Sequence, residues 1–421
     1  MRRSPPDNAR EIKPVSGKKI RVVAADTHPI QYRAPLWRRL AKEEDLSLEV
    51  LYGADFSTRG YLDREFGARF AWDTPLLEGY HHRFLPGADR FASISWWQPG
   101  WRPVFHAVRR ARPEVLILNA YLGFFWIGAR LAADLSGCPV VLRHEASDEA
   151  HAPGILRACL RAILLGWMYH GPTQFAFIGQ AARQHLQSRG IPRARLHFSP
   201  YCVDSEEVAR QQKAWLPRRD ELRRELGVGA HDRVLVFSGK LIPKKDPLLL
   251  VEAVARMGRE DRDRIHLVVM GDGELKSELC AGAGKLLGNR FHFLGFLNQS
   301  QTGRAYAVAD LLLLPSRRGA GETWGLVVNE ALQWGVPAAV SDGVGCRHDL
   351  VEPGSTGWIF PAGDSGCLAS VLKNLLQQDV FTRRLMQKNC REKIKSYSLE
   401  HATLGLAQSI RESFLGTGIR T

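Results

Sequence analysis

LLLLPSRRGAGETWGLVVNEALQWGVP, residues 311–337, decides how the rest of the chain is read. Its four leucines form a short apolar run of the kind a buried strand requires. A polar, glycine-rich loop follows. Leu326, Val327, Ala331, Leu332 and Trp334 then recur at helical spacing, so a helix is predicted to begin between Thr323 and Leu326. The first turn of a helix leaves backbone N–H groups unpaired and carries partial positive charge, so a diphosphate fits there without a dedicated side chain. Gly325 has no Cβ and permits close backbone approach. Glu322 and Glu330 bracket the turn with seven residues between them, and a carboxylate can accept two hydrogen bonds from a vicinal diol. For Glu322 the alternative is an acidic helix start favoured by the dipole alone. Glu330 lies on a mostly apolar helix, where a lone carboxylate is rare, so a ligand or a fixed partner is expected.

Working outward, apolar runs alternate with helical patterns on both sides of this stretch. In the first half, strands are predicted at 20–25, 46–52, 115–118, 139–142, 174–178 and 196–199. Helices are predicted at 35–42, around Val104 and Val108, and at 122–135, 154–168 and 180–189. Residues 53–99 read as a long irregular segment, which is usually functional or mobile. In the second half, strands are predicted at 234–237, 265–270, 291–294, 311–314 and 338–340, with helices at 247–257 and 274–282 and an amphipathic helical tail from Asp364. Such alternation means parallel, doubly wound α/β sheets. The 421 residues suit two domains. The expected division is a disordered basic lead (1–18), a first Rossmann-like domain (19–205), an inter-domain segment (206–232), a second such domain (233–385), and C-terminal helices (386–421).

Charge and cysteines bound the function. The net charge is +14. Residues 1–205 carry 28 Lys and Arg against 19 Asp and Glu, so the first half is the more cationic. An anionic membrane surface, an anionic acceptor or nucleic acid would each be attracted, and plain solubility is the alternative. No basic stripe with interleaved aromatics is present, which argues against nucleic acid. Seven scattered cysteines with no CxxC pair suit reduced thiols in a cytosol rather than a disulfide frame or zinc site. No stretch is apolar enough to span a membrane, and the N-terminus has no signal-peptide core.

Ligands of open parallel sheets sit beyond the carboxyl ends of the strands, so loops there hold the remaining candidates. Ser238–Asp246 places Lys240 and Lys245 to neutralise phosphate, unless they belong to a solvated loop. Gly271-Asp-Gly-Glu274 is part of a dinucleotide fingerprint or a tight turn. Asp261-Arg-Asp263 precedes its strand, at the wrong end of the sheet for a metal ligand, and reads as a surface turn. His28 and His144 follow first-domain strands and could stabilise a reacting group, or be satisfied loop histidines.

SGKLIPKKDPLLLVEAV, VVMGDGEL, FHFLGFL, ADLLLLPSR, ETWGLVVNEAL and SDGVGCRHDL together resemble the retaining glycosyltransferases of family 4, with the GT-B fold. The resemblance is dense over 233–362. THPIQYRAPLWRRLA and WDTPLLEGY resemble members used in bacterial surface-polysaccharide assembly. It implies two Rossmann-like domains facing a central cleft and a cytoplasmic enzyme moving a sugar from a nucleotide-sugar to a saccharide or lipid-linked acceptor. It implies no cofactor and no metal. Gly239, Lys240, Lys245, Gly271, Thr323, Gly325, Leu326 and Val327 would hold the donor's diphosphate side. Glu322 would face the transferred sugar and Glu330 hold the ribose. His144, Glu322 and Lys245 would carry the chemistry, with His28 and Gln31 on the acceptor side. A nucleotide-sugar epimerase or a lapsed donor-binding scaffold are the alternatives.

Overall fold

The computed structural model describes residues 18–63, 68–145, 155–171 and 173–416. The expected basic lead lies outside them, apart from Lys18. Fifteen strands occur among the described residues. The first seven-stranded sheet uses β1 (Ile20–Asp26), β2 (Leu46–Tyr52), β5 (His81–Phe84), β6 (Val115–Leu118), β7 (Val140–His144), β8 (Thr173–Phe177) and β9 (Leu196–Phe198). A small antiparallel pair, β3 (Tyr61–Asp63) and β4 (Ala68–Phe70), stands apart from it. The second sheet uses β10 (Arg233–Ser238), β11 (Ile265–Met270), β12 (Phe291–Gly295), β13 (Leu311–Leu314), β14 (Ala338–Ser341) and β15 (Gly357–Phe360).

Both large sheets are parallel, in the orders β5-β2-β1-β6-β7-β8-β9 and β12-β11-β10-β13-β14-β15. Helices cover both faces, so central strands such as Ile265–Met270 are buried at every position. That explains their uninterrupted apolar runs. Strand order reverses between β1 and β6 in the first sheet and between β10 and β13 in the second. A doubly wound sheet opens its ligand crevice at such a reversal.

Residues 53–99 are not wholly irregular. They contain the β3–β4 pair and the edge strand β5, whose His81–Phe84 register runs parallel to Glu49–Tyr52 of β2. β5 is polar and carries no apolar run, and an edge strand buries only part of its surface. The helices Ser205–Trp215 and Arg219–Glu225 pack on the Gly303–Val308 helix. Arg219 and Arg223 both pair with Asp310, at 3.0 and 2.8 Å. This segment is therefore fastened to the second domain. At the other end, Val380–Lys395 packs on Leu326–Gln333, and Leu399–Leu415 crosses back onto β8 and β9. A Cβ on Gly405 would lie 1.8 Å from the Phe198 carbonyl, and Ser199 Oγ donates to the Ala402 carbonyl at 2.8 Å. Among the described residues no helix is long and apolar enough to cross a membrane.

Candidate functional site

Two loops leave the reversal point of the second sheet, one after β10 and one after β13. Gly239 has φ +150° and Gly271, after β11, has φ +149°. A Cβ on Gly271 would meet the Gly239 carbonyl oxygen at 1.8 Å, so no side chain fits there and the loops pack backbone on backbone. Leu241 N donates to the Asp272 carbonyl at 2.9 Å. The β10 loop then turns at Pro243–Lys245 and reaches the glutamate loop. Lys245 Nζ lies 2.5 Å from Glu322 Oε2, and Ser316 Oγ donates to the same oxygen at 3.3 Å. Lys244 Nζ donates to the Gly321 carbonyl at 2.9 Å, and Arg317 pairs with Asp246 at 3.2 Å. Lys240 occupies the same loop, half-buried.

The helix start is fixed from behind. Gly325 has φ +106°, and a Cβ there would sit 2.9 Å from Leu314 Cδ2. Gly345 N donates to the Glu322 carbonyl and Cys346 N to that of Trp324, both at 3.0 Å. A Cβ on Gly345 would lie 1.9 Å from the Thr323 carbonyl. The chain from Glu322 to Gly325 is thus pressed onto a glycine strap, and the helix Leu326–Gln333 begins at a set angle. Leu326 and Val327 occupy its first turn, where the backbone N–H has no acceptor within the helix.

Between the domains lies a cavity of about 210 Å³. Ser238, Gly239, Gly271, Leu326, Val327 and Glu330 line its second-domain side. The Glu330 carboxylate is held by two donors that sequence reasoning missed: Tyr306 Oη at 2.7 Å and Gln299 Nε2 at 3.1 Å. Burial raises the Glu330 pKa, and those two hydrogen bonds pull it part of the way back. The expected fixed partner is therefore present. Across the cavity stand Gln31, Tyr32, Arg38 and Trp72 of the first domain, with Asp204 and Glu207 from the connecting helix.

The first-domain histidines are placed differently from each other. His28 stacks on Phe56 with ring centroids 4.7 Å apart, and its Nδ1 is 3.1 Å from Thr27 Oγ1. Burial, and secondarily Arg33, push it down to about 3, so the imidazole is neutral. It does not line the cavity; Gln31 does. His144 ends β7 as expected. The residue is fully buried, with its ring between Tyr121 and His185 and its Nε2 2.5 Å from Tyr169 Oη. The imidazole is enclosed in the first-domain core and does not line the cavity. Sequence reasoning also missed Asp26 and Arg33, a buried pair at 2.7 Å at the reversal point of the first sheet. Burial raises the Asp26 carboxyl to about 6 despite that partner. Asp263 pairs with Arg290 at 2.7 Å, just ahead of β11 and away from the cavity.

The domains are pinned together around the cleft. Asp349 accepts from Gln180 N at 2.9 and 3.1 Å, so a second-domain carboxylate caps a first-domain helix. Asn329, two turns or less from Leu326, accepts from Trp324 Nε1 at 2.7 Å and donates to the Tyr201 carbonyl at 2.9 Å. At the rim, Phe70 stacks on Phe296 at 4.2 Å, and Asn298 Nδ2 donates to the Ala71 carbonyl at 2.6 Å.

Residues 218–396, which build most of this site, match the family described as glycosyl transferases group 1. The fold is GT-B, and this segment is similar to that family. Among its relatives are alpha-D-kanosaminyltransferase of Streptomyces kanamyceticus (27% identical, 55% of this chain, 58% of the relative) and the sulfoquinovosyl transferase SQD2 of Arabidopsis thaliana (32%, 71% and 57%). The chain spans about half the length of the curated relatives it matches. Similar solved structures include Anabaena HepE in complex with UDP and glucose (TM-score 0.67, 17% identity, 93% of this chain and 99% of that one). Sucrose-phosphate synthase from Thermosynechococcus elongatus is comparable (0.67, 16%, 94% and 100%). At these identities the structures speak for the fold.

Proposed function

We propose that the chain transfers a sugar from a nucleotide-diphosphate sugar to an acceptor hydroxyl, with retention of anomeric configuration, in polysaccharide or glycoconjugate assembly. One observation carries this reading. A single cavity between two Rossmann-like domains collects the paired glycine loops, an open helix start and a carboxylate held by two donors. Glu330 would take the ribose diol. The amides of Thr323 to Val327, with Lys240 and Lys245, would take the diphosphate and stabilise the charge that grows on it as the glycosidic bond breaks. Those cations make a metal unnecessary in this scheme. Glu322 would face the transferred sugar from its ion pair with Lys245. Gln31 lines the acceptor side, and His28 stands behind it as a neutral group. The acceptor is a saccharide, free or lipid-linked, met in the cytoplasm or at the cytoplasmic membrane face.

The UDP and UDP-glucose held by HepE make uridine diphosphate sugars the first donors to test. A thermal-shift screen over nucleotide-sugars, with and without EDTA, should give a donor whose stabilisation is insensitive to the chelator. Release of nucleoside diphosphate should then require an acceptor. Release without acceptor would favour an epimerase, and donor binding with no release under any acceptor would favour a scaffold.

A further inference from the structure

Residues 70–80 leave the β3–β4 pair and join the two domains. Their second half belongs to the first domain. Leu76 and Tyr80 are buried in its core, and Arg38 donates to the Pro75 carbonyl at 2.8 Å and to the Glu78 carbonyl at 3.3 Å. Their first half is tied to the second domain. Besides the Phe70–Phe296 stack and the bond from Asn298 to Ala71, Ser300 Oγ donates to Asp73 Oδ2 at 2.5 Å and Ser300 N to the same oxygen at 3.3 Å. Asp73 N in turn donates to Asn298 Oδ1 at 3.3 Å. Hydrogen bonds to a carboxylate are charge-assisted and stronger than neutral ones. Asn298 and Ser300 flank Gln299, whose side-chain amide holds the Glu330 carboxylate. The strap therefore fixes, from the other domain, the turn that sets Glu330.

The sheet order says which end of the cavity the strap closes. β10 and β13 meet at the reversal point, and β11 and β12 run outward from it. In the proposed pose the diphosphate meets the helix start after β13 and the ribose meets Glu330. The base is left to the walls that follow β11 and β12, namely Met270, Gly271, Phe296 and Leu297. The strap is bound to Phe296, Asn298 and Ser300, so its own cavity-lining residues, Trp72 and Thr74, adjoin this end. Trp72 is half-buried, with Phe70 edge-on at 5.0 Å. An indole offers a stacking face that every base accepts. Thr74 supplies something more selective. Its Oγ1 is buried without a partner, and among the described residues that line the cavity it is alone in this. A buried hydroxyl left unpaired costs stability, and a ligand with a polar edge removes that cost. Neighbouring polar groups are committed: Arg38 to its two carbonyls, and Gln211 to Glu207 Oε1 and the Gln299 carbonyl.

We infer that the donor's nucleobase is read from the first domain: Trp72 packs on the base, the Thr74 hydroxyl hydrogen-bonds its edge, and Asp73 positions both by clasping Ser300. This rests on the donor reading proposed above and adds to it that base selection depends on contact between the domains, not on the second domain alone.

Calorimetric titration of the full chain with the diphosphates of uridine, cytidine, adenosine and guanosine ranks the bases, with inorganic pyrophosphate as the base-free control. Thr74→Val keeps the shape and removes the hydroxyl. It should melt at or above the wild-type temperature, bind the preferred nucleoside diphosphate about tenfold more weakly, narrow the gap to the other bases, and leave pyrophosphate affinity unchanged. Trp72→Leu should weaken every nucleotide and again spare pyrophosphate. Asp73→Ala should do the same, and Asp73→Asn, which keeps an acceptor for Ser300, should recover most of the loss. A merely structural role for Asp73 would lower nucleotide and pyrophosphate affinity together. Wild-type affinity and base ranking in both Thr74→Val and Trp72→Leu would overturn the inference and leave the donor reading standing. So would variants that only raise the KM for acceptor. A wild-type chain that binds none of the nucleoside diphosphates would overturn both.

Discussion

Replacing Glu330 by Gln should separate stability from donor binding in opposite directions. The carboxylate is buried, and its folded pKa is raised chiefly by that burial. For an acid with a raised folded pKa, the native state holds the proton more tightly than the unfolded chain does. Stability is therefore lost as pH rises from the ordinary carboxylate range through the raised value. Glu330→Gln removes this cost while keeping an acceptor for Tyr306 or Gln299, so its melting temperature near pH 7 should equal or exceed that of wild type. Donor binding should weaken. A hydrogen bond to a charged group contributes about 1.5–3 kcal/mol, which is about 10- to 150-fold in Kd. Calorimetric titration of a nucleoside diphosphate, with thermal unfolding of the same samples, reads both effects. An unchanged Kd in a variant that melts normally would refute the assignment of the diol to Glu330.

Lys245→Gln should weaken diphosphate binding and also destabilise the fold by about 3–5 kcal/mol, because it leaves the Glu322 carboxylate enclosed without its cation; chemical denaturation and nucleotide titration measure the two. Gly271→Ala should be poorly folded or fail to bind donor, since a Cβ would collide with the Gly239 carbonyl at 1.8 Å and the backbone sits at φ +149°; full stability and wild-type affinity would contradict the packed-loop geometry. Asp349 is raised from 3.8 to about 6 by burial, so its ionisation costs up to about 3 kcal/mol, fully present above pH 6 and absent below pH 4. Asp349→Asn should become relatively more stable than wild type as pH climbs through that window, measured by melting temperature against pH.

Strands buried on both faces were read well from sequence, because a parallel central strand must be apolar throughout. The predicted limits of β2, β6, β11 and β13 coincide with those observed. β5 and β15 were missed: both lie at sheet edges, HHRF is polar, and the apolar run in GWIF is only three residues long. The glycine loops, the helix start and Glu330 were legible because their chemistry depends on local backbone geometry and on the spacing along one helix. The setting of the His144 ring was not legible, for the opposite reason. Its position at the end of β7 follows from sequence, but the direction of its ring was decided by Tyr169 and His185, 25 and 41 positions away.

Sequence alone determined the two parallel sheets, the loops that follow their strands, and the residue types gathered at the second reversal point. These depend on periodicity, on glycine's missing Cβ and on short-range spacing. Only the tertiary structure decided that Lys245 meets Glu322, that Gln299 and Tyr306 hold Glu330, that Asp349 caps a helix of the other domain, and that Asp73 clasps Ser300 across the cleft. Each of these joins atoms distant along the chain, and local pattern carries no record of that.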